Sequence, residues 1–200
     1  MWAFRFGQLM AGLCVFGLGA AFMVRANLGL DPWNVFHQGL SGRLGWSLGT
    51  VTILSGVVVM LLWIPLRLRP GLGTLCNIFV IGLSLDAALA LLPSFADLNL
   101  VLRLAAMAAG VVLTALGSAA YIGAGMGTGP RDGLMMGLNQ RFGWSIRVSR
   151  LLVELVVLAS GWLLGGVAGL GTVAFALLIG PLVQFFLPYF KTPKTRVAKA

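Results

Sequence analysis

GLDPWNVFHQGLSGRLGWS at residues 29–47 and GTGPRDGLMMGLNQRFGWS at residues 127–145 are two versions of one segment, and the offset between them is 127 − 29 = 98. Without a gap that offset pairs Pro32 with Pro130, Gly39 with Gly137, Leu40 with Leu138 and Arg43 with Arg141. It also pairs Gly45-Trp46-Ser47 with Gly143-Trp144-Ser145. It carries Gly71-Leu72-Gly73-Thr74 onto Gly169-Leu170-Gly171-Thr172, Gly82 onto Gly180 and, upstream, Ala11-Gly12 onto Ala109-Gly110. One ungapped register held over this length marks an internal duplication. The chain divides into a first repeat (1–95), a second repeat (96–190) and a basic tail (191–200).

Each repeat is dominated by apolar runs. The 200 residues have a mean hydropathy of +0.98, 59% are hydrophobic and only 10% are charged. A soluble domain carries about 25% charged residues, and one core could not hide so much apolar surface. Lipid is the solvent this composition suits. Six runs approach the roughly 20 residues a span needs: Gly7–Val24, Ser47–Leu66, Leu72–Leu92, Leu104–Gly123, Ser145–Leu164 and Leu170–Leu187. Arg5 before the first run and Gly19-Ala20-Ala21 after it resemble a signal peptide. The repeat pairs that run with the fourth, so it reads as a retained span.

The net charge of +9 sits in the gaps between runs, which points to the membrane surface and not to nucleic acid. With the N-terminus in the cytoplasm, Arg5, Arg67, Arg69, Arg131, Arg141, Arg147, Arg150, Lys191, Lys194, Arg196 and Lys199 are inside. Arg25, Arg43 and Arg103 are outside, so eleven of the 14 basic residues are cytoplasmic, as the positive-inside rule asks. A five-span arrangement, with the tail outside, ranks second. Three spans per repeat is an odd number, so the second repeat enters the membrane from the opposite side. The expected fold is an all-α integral membrane protein of six transmembrane helices, arranged as two three-helix inverted-topology repeats. Each repeat carries a short extra helix, 32–44 or 130–142.

Those short helices lie in the polar linkers Arg25–Trp46 and Ala124–Trp144. Pro32 and Pro130 suit a first helical turn, where a missing N–H costs nothing. Asp31 is placed to cap the first helix, and Asp132 lies in the first turn of the second. Two placements are open. An amphipathic helix could lie flat on each membrane surface. Alternatively, a re-entrant half-helix could dip its Pro end toward the midplane, where unpaired N–H groups would attract an anion; Gly29, Gly125, Gly127 and Gly129 would permit the close approach. Trp46-Ser47 and Trp144-Ser145 read as interfacial anchor plus N-cap. Gly71-Leu72-Gly73-Thr74 and its copy at Gly169–Thr172 read as a tight turn ending one helix, with Thr74 and Thr172 capping the next. With Gly29, Pro32, Gly127 and Pro130, these are structural motif residues. Gly161-x-x-x-Gly165 reads as a close helix contact.

Ionisable groups inside apolar runs need a reason. Glu154 is either an i,i+4 partner of Arg150, with Arg147 a turn away, or a carboxylate facing an interior cavity. Its repeat equivalent is Gly56 (154 − 98 = 56), so any such role is asymmetric. Asp86, equivalent to Gln184, reads as a structural pairing group. The candidate substrate- or ion-binding residues are Glu154, Arg150, Asp31, Arg131 and Asp132. His37 has no second ligand type nearby and Cys14 and Cys76 read as small core residues, so no metal site is expected. No hydrolytic, redox or Walker constellation is present, so neither a catalytic residue nor a cofactor is expected.

GLGLDPWNVFHQGLSGRLGWSLG, RPGLGTLCN, GTGPRDGLMMGLNQRFGWSIRVSRLLVE and GGVAGLGTVAFALLIGP together resemble the YczE/YyaS/YitT family of bacterial membrane proteins, nearest the YczE branch. The resemblance implies a multi-pass plasma-membrane protein and supplies no site residues. For the YczE branch it implies a connection to secondary metabolites made by large synthetases. Two functions follow as expectations: a small inverted-repeat transporter, permease or exporter, or a membrane regulator of a cytoplasmic enzyme docking through the basic tail. The expected partners are the bilayer, a small-molecule substrate and, as an option, a second copy of the chain in a homodimer.

Overall fold

The computed structural model describes residues 2–191, so Lys194, Arg196 and Lys199 of the basic tail lie outside the described residues. Among the described residues eight α-helices follow one another: α1 (Trp2–Ala26), α2 (Pro32–Leu44), α3 (Leu48–Leu61), α4 (Leu72–Leu91), α5 (Leu100–Gly123), α6 (Pro130–Phe142), α7 (Ile146–Leu163) and α8 (Leu170–Phe190). The 98-residue offset carries Pro32–Leu44 onto Pro130–Phe142 at both ends, and Leu72 onto Leu170.

The repeated residues start and stop these helices. Asp31 caps α2 by accepting from the Asn34 N–H at 3.3 Å. Ser47 caps α3 by accepting from Thr50 N at 3.1 Å, and Ser145 caps α7 by accepting from Val148 N at 3.2 Å. Gly45 and Gly143, both at φ 71°, end α2 and α6 in the left-handed conformation that glycine adopts most cheaply. Asp86 accepts from Ser47 Oγ at 2.5 Å and Gly49 N at 2.7 Å, so its pairing is a second cap on α3. Thr74 Oγ1 accepts from Gly71 N at 3.3 Å, and Thr172 Oγ1 from Gly169 N at 3.1 Å. The expected turn ending the preceding helix is absent at Gly71: α3 stops at Leu61, and residues 62–70 intervene. Of the Gly161–Gly165 pair, only Gly161 packs closely, against the backbone of Val35 and Phe36; Gly165 (φ 99°) has left the helix. Cys14 is exposed rather than in the core, because an apolar run in lipid has an outward face as well as an inward one.

Four helices, α1, α4, α5 and α8, are long and apolar enough to cross a membrane, or five segments if the bent pair α2–α3 counts as one, with 114° between its axes. Of the six expected transmembrane helices, four are therefore present as spans, or five with the bent pair. α3 has only 14 residues, and α7 carries Arg147, Arg150 and Glu154 within 18. Packing gives the directions. Along α1 and α4 residue numbers rise together: Gly17 meets Ile81, Ser84 and Leu85, then Ala20 and Ala21 meet Leu85 and Ala88, then Arg25 Nη2 donates to Leu89 O. α1 and α4 are parallel, so α2–α3 must return the chain along the bundle. α5 runs the other way beside α1, with Gly12 against Gly117 and Gly19 against Gly110, small residues that let two backbones touch. α8 is parallel to α5, from Met107 beside Gly171 to Gly123 beside Phe190. Gln8 Nε2 donates to Ala120 O at 2.8 Å and Phe190 O at 2.9 Å. The start of α1 and the end of α8 therefore share one end of the bundle.

Candidate functional site

The first turns of α2 and α6 meet inside this bundle. Asp31, Pro32, Trp33, Asn34 and Val35 are buried, as are Pro130, Leu134 and Met135. Asp31 and Pro32 line a cavity of about 280 Å³ together with Phe16, Ile81 and Ile179, from the middle of α1, α4 and α8. From there α2 runs outward to exposed Trp46. The proline end of α2 thus lies inside the bundle and not on its surface. A helix lying flat on a surface would not bury its proline end among the centres of three long helices.

Glycines hold the two inward turns in place. Gly29 (φ 113°) and Gly127 (φ 137°) have backbones that other residues rarely adopt. Beside them, Gly171 N donates to Leu28 O at 2.8 Å, and Gly73 N donates to Met126 O at 2.9 Å. Each turn is thus tied to the start of the last long helix of the opposite half. Trp63, just past α3, fixes α6: its Nε1 donates to Pro130 O at 3.0 Å, and its ring fills the space a side chain at Gly133 would need.

All five candidate residues, Asp31, Arg131, Asp132, Arg150 and Glu154, line this one cavity. Arg131 Nη1 lies 3.7 Å from Asp31 Oδ1, joining the halves, and its guanidinium stacks 4.7 Å above the Trp33 ring. Asp132 accepts from the Tyr121 hydroxyl at 3.0 Å. Arg150 Nε and Glu154 Oε1 pair at 2.9 Å at the rim, with side chains 48% and 27% exposed. The i,i+4 pair and the cavity-facing position, set as alternatives for Glu154, are both present. The expected pull on an anion changes, however. Asp31 caps α2, and Asp132 sits in the first turn of α6, so the chain's own carboxylates answer both helix ends.

His37, expected only to lack the partners of a metal ligand, belongs to the site. It is 1% exposed and lines the cavity. Its Nδ1 is 3.0 Å from Thr52 Oγ1 and 3.3 Å from Asn34 Oδ1. Thr52 spends its proton on Leu48 O at 2.9 Å, and Asn34 Nδ2 donates to Asp31. Both neighbours therefore present lone pairs, and Nδ1 carries the hydrogen. In the neutral ring Nε2 is then a bare acceptor, buried and without a partner among the described residues. A signal for this lay in the sequence: Asp31, Asn34 and His37 at three-residue spacing share one helix face. Among the described residues no group of three His, Cys, Asp or Glu side chains could hold a metal.

Comparison with known proteins agrees with the motifs. A family model described as a family of unknown function, DUF6198, matches residues 3–188. An uncharacterized protein of Haemophilus influenzae is 45% identical over 90% of this chain and 81% of its own length. The uncharacterized membrane protein YczE of Bacillus subtilis is 33% identical over 94% of this chain and 85% of its own. The uncharacterized protein YyaS of Bacillus subtilis is 28% identical over 88% of this chain and 89% of its own. No solved structure matches.

Proposed function

This chain belongs to DUF6198, a family of unknown function, and has an uncharacterized bacterial membrane protein among its relatives; from that premise we propose that it is a small-molecule transporter or permease of the bacterial plasma membrane and not an enzyme. The observation that carries the reading is the cavity at the junction of the halves. Two broken-helix starts, an ion pair between the halves and an unpartnered His37 acceptor converge there. Discontinuous helices meeting at a midplane site between repeats are a recurrent transporter design.

We read the halves as inverted repeats related by an in-plane two-fold axis. The bundle then crosses the membrane six times, with bent or short segments at the second and fifth crossings, and both ends of the chain are cytoplasmic. The parallel α1–α4 and α5–α8 pairs, the antiparallel α1–α5 pair and the basic-residue bias support this reading.

The test is access to the cavity from both sides. In a chain with Cys14→Ala and Cys76→Ala, Ser118→Cys places a thiol on the cavity wall. A membrane-impermeant thiol reagent should reach it in right-side-out and in inside-out vesicles. A non-transporting regulator has no need of two-sided access, and labelling from one side only would favour it.

A further inference from the structure

The two halves differ most at one seam. In the first half α3 packs along α4: a Cβ on Gly49 would sit 2.1 Å from Gly82 O, and one on Gly56 would sit 3.1 Å from Ile78. The equivalent positions in the second half are Arg147 (49 + 98) and Glu154 (56 + 98), side chains too large and too charged for such a seam. α7 accordingly packs on α2 and α6, with no packed seam to α8. Gly180, the equivalent of buried Gly82, has nothing within 4 Å of its Cβ position. Pro181 adds to the separation, since a proline ring inside a helix clashes with the carbonyl of the preceding turn. The cavity wall is therefore open between α7 and α8. In a bilayer that opening faces lipid, and Arg150, Glu154 and Gln184 stand at it.

The lining selects by charge. Three carboxylates face two guanidinium groups, and two helix N-termini add about half a positive charge each. The balance is near zero, so neither a bare anion nor a bare cation is favoured. Among the described residues the buried His37 Nε2 has no hydrogen-bond partner, and the ion pair of Arg131 with Asp31 is a loose 3.7 Å. Resting on the transporter reading, we propose that the substrate is an amphipathic molecule that enters from the bilayer through the α7–α8 opening. Its uncharged or zwitterionic head is held between Arg131 and His37 Nε2, and its apolar tail lies along α8.

The test uses the full chain in vesicles of phosphatidylethanolamine and phosphatidylglycerol. One sample contains phosphatidylethanolamine with a photoreactive acyl chain, and a parallel sample contains a fatty amide with the same group. Irradiation and peptide mapping should find adducts on the cavity residues Phe175 and Val183 as well as on outward-facing Leu177. His37→Ala should lower the cavity adducts by a factor of roughly 3–10, the worth of one hydrogen bond, and leave those on Leu177 unchanged. Gly180→Leu fills the opening without touching the head site and should remove the cavity adducts alone. Adducts on Leu177 only, from both probes, would overturn the proposal. So would cavity adducts indifferent to both substitutions. If Ser118→Cys is labelled from both sides while no probe enters, the lipid route fails and transport of a water-soluble substrate stands.

Discussion

Arg5 and Arg103 stand 98 residues apart and make the same pair of hydrogen bonds, each to the opposite half. Arg5 Nε donates to Ala124 O at 2.7 Å and its Nη2 to Gly125 O at 2.7 Å. Arg103 Nε donates to Ala26 O at 3.0 Å and its Nη2 to Asn27 O at 2.8 Å. Each guanidinium satisfies carbonyls at the C-terminus of the helix that its own helix packs against, where orphan acceptors and the negative dipole end coincide.

From that exchange, Arg5→Ala and Arg103→Ala should each destabilise the protein by about 2 kcal/mol, the scale of charged hydrogen bonds. The sites lie at opposite ends of a 25-residue helix, about 30 Å apart, so the double substitution should be additive. Thermal unfolding in detergent measures this. A large effect at one arginine and none at the other would contradict the equivalence.

The asymmetry at the seams gives a second prediction. Gly49→Ala drives a methyl into the Gly82 carbonyl and the Asp86 carboxylate, so it should cost about 1–3 kcal/mol, as overpacking does. Gly180→Ala meets open space and should change stability by less than about 0.5 kcal/mol. Folded yield and melting temperature of the two variants decide it.

How much of this was legible follows from what repeats. The helix starts at Pro32 and Pro130, the Ser47 and Ser145 caps and the all-helical membrane character rest on local chemistry that a sequence displays. Arg150 and Glu154 stood out because charge in an apolar run is conspicuous, and Asp31, Arg131 and Asp132 because they flank the prolines that start α2 and α6. The α7–α8 opening was not read, although Gly49 against Arg147 and Gly56 against Glu154 were there to compare, because a seam is a relation between two helices and composition within one helix does not reveal it. His37 was missed for a similar reason. Its significance lies in Thr52 and Asn34 fixing its Nδ1 proton, and Thr52 arrives from another helix. Trp63 read as one more apolar residue of a span, and only its distance to Pro130 makes it a support for the site.

The proposed orientation makes a third prediction. In the cysteine-free chain, Leu98→Cys in the exposed α4–α5 connection should react with an impermeant thiol reagent added to intact cells. Lys191→Cys, at the end of α8, should be protected until the membrane is permeabilised. Labelling of Lys191→Cys in intact cells would reverse the topology.

The last prediction concerns Glu154. A carboxylate near mid-bilayer costs about 2.5–3.5 kcal/mol on insertion scales, and the Arg150 contact at 2.9 Å offsets part of that. If pairing were its whole role, replacing Arg150 and Glu154 together with leucine should leave a working protein, since removing both members of an ion pair is often tolerated. Such a change would also make α7 more like a continuous apolar span. Yet both residues stand at the mouth of the cavity, half-open to what enters, and the equivalent of Glu154 is Gly56, which closes its seam. We therefore expect Glu154→Gln, which keeps size and hydrogen bonding, to reach normal membrane abundance and lose at least about tenfold in activity, a difference of 1.4 kcal/mol. The double leucine variant should not restore it. Complementation of a deletion strain at matched abundance reads both. Full activity of Glu154→Gln would reduce the residue to a structural partner of Arg150 and weaken the transporter reading with it.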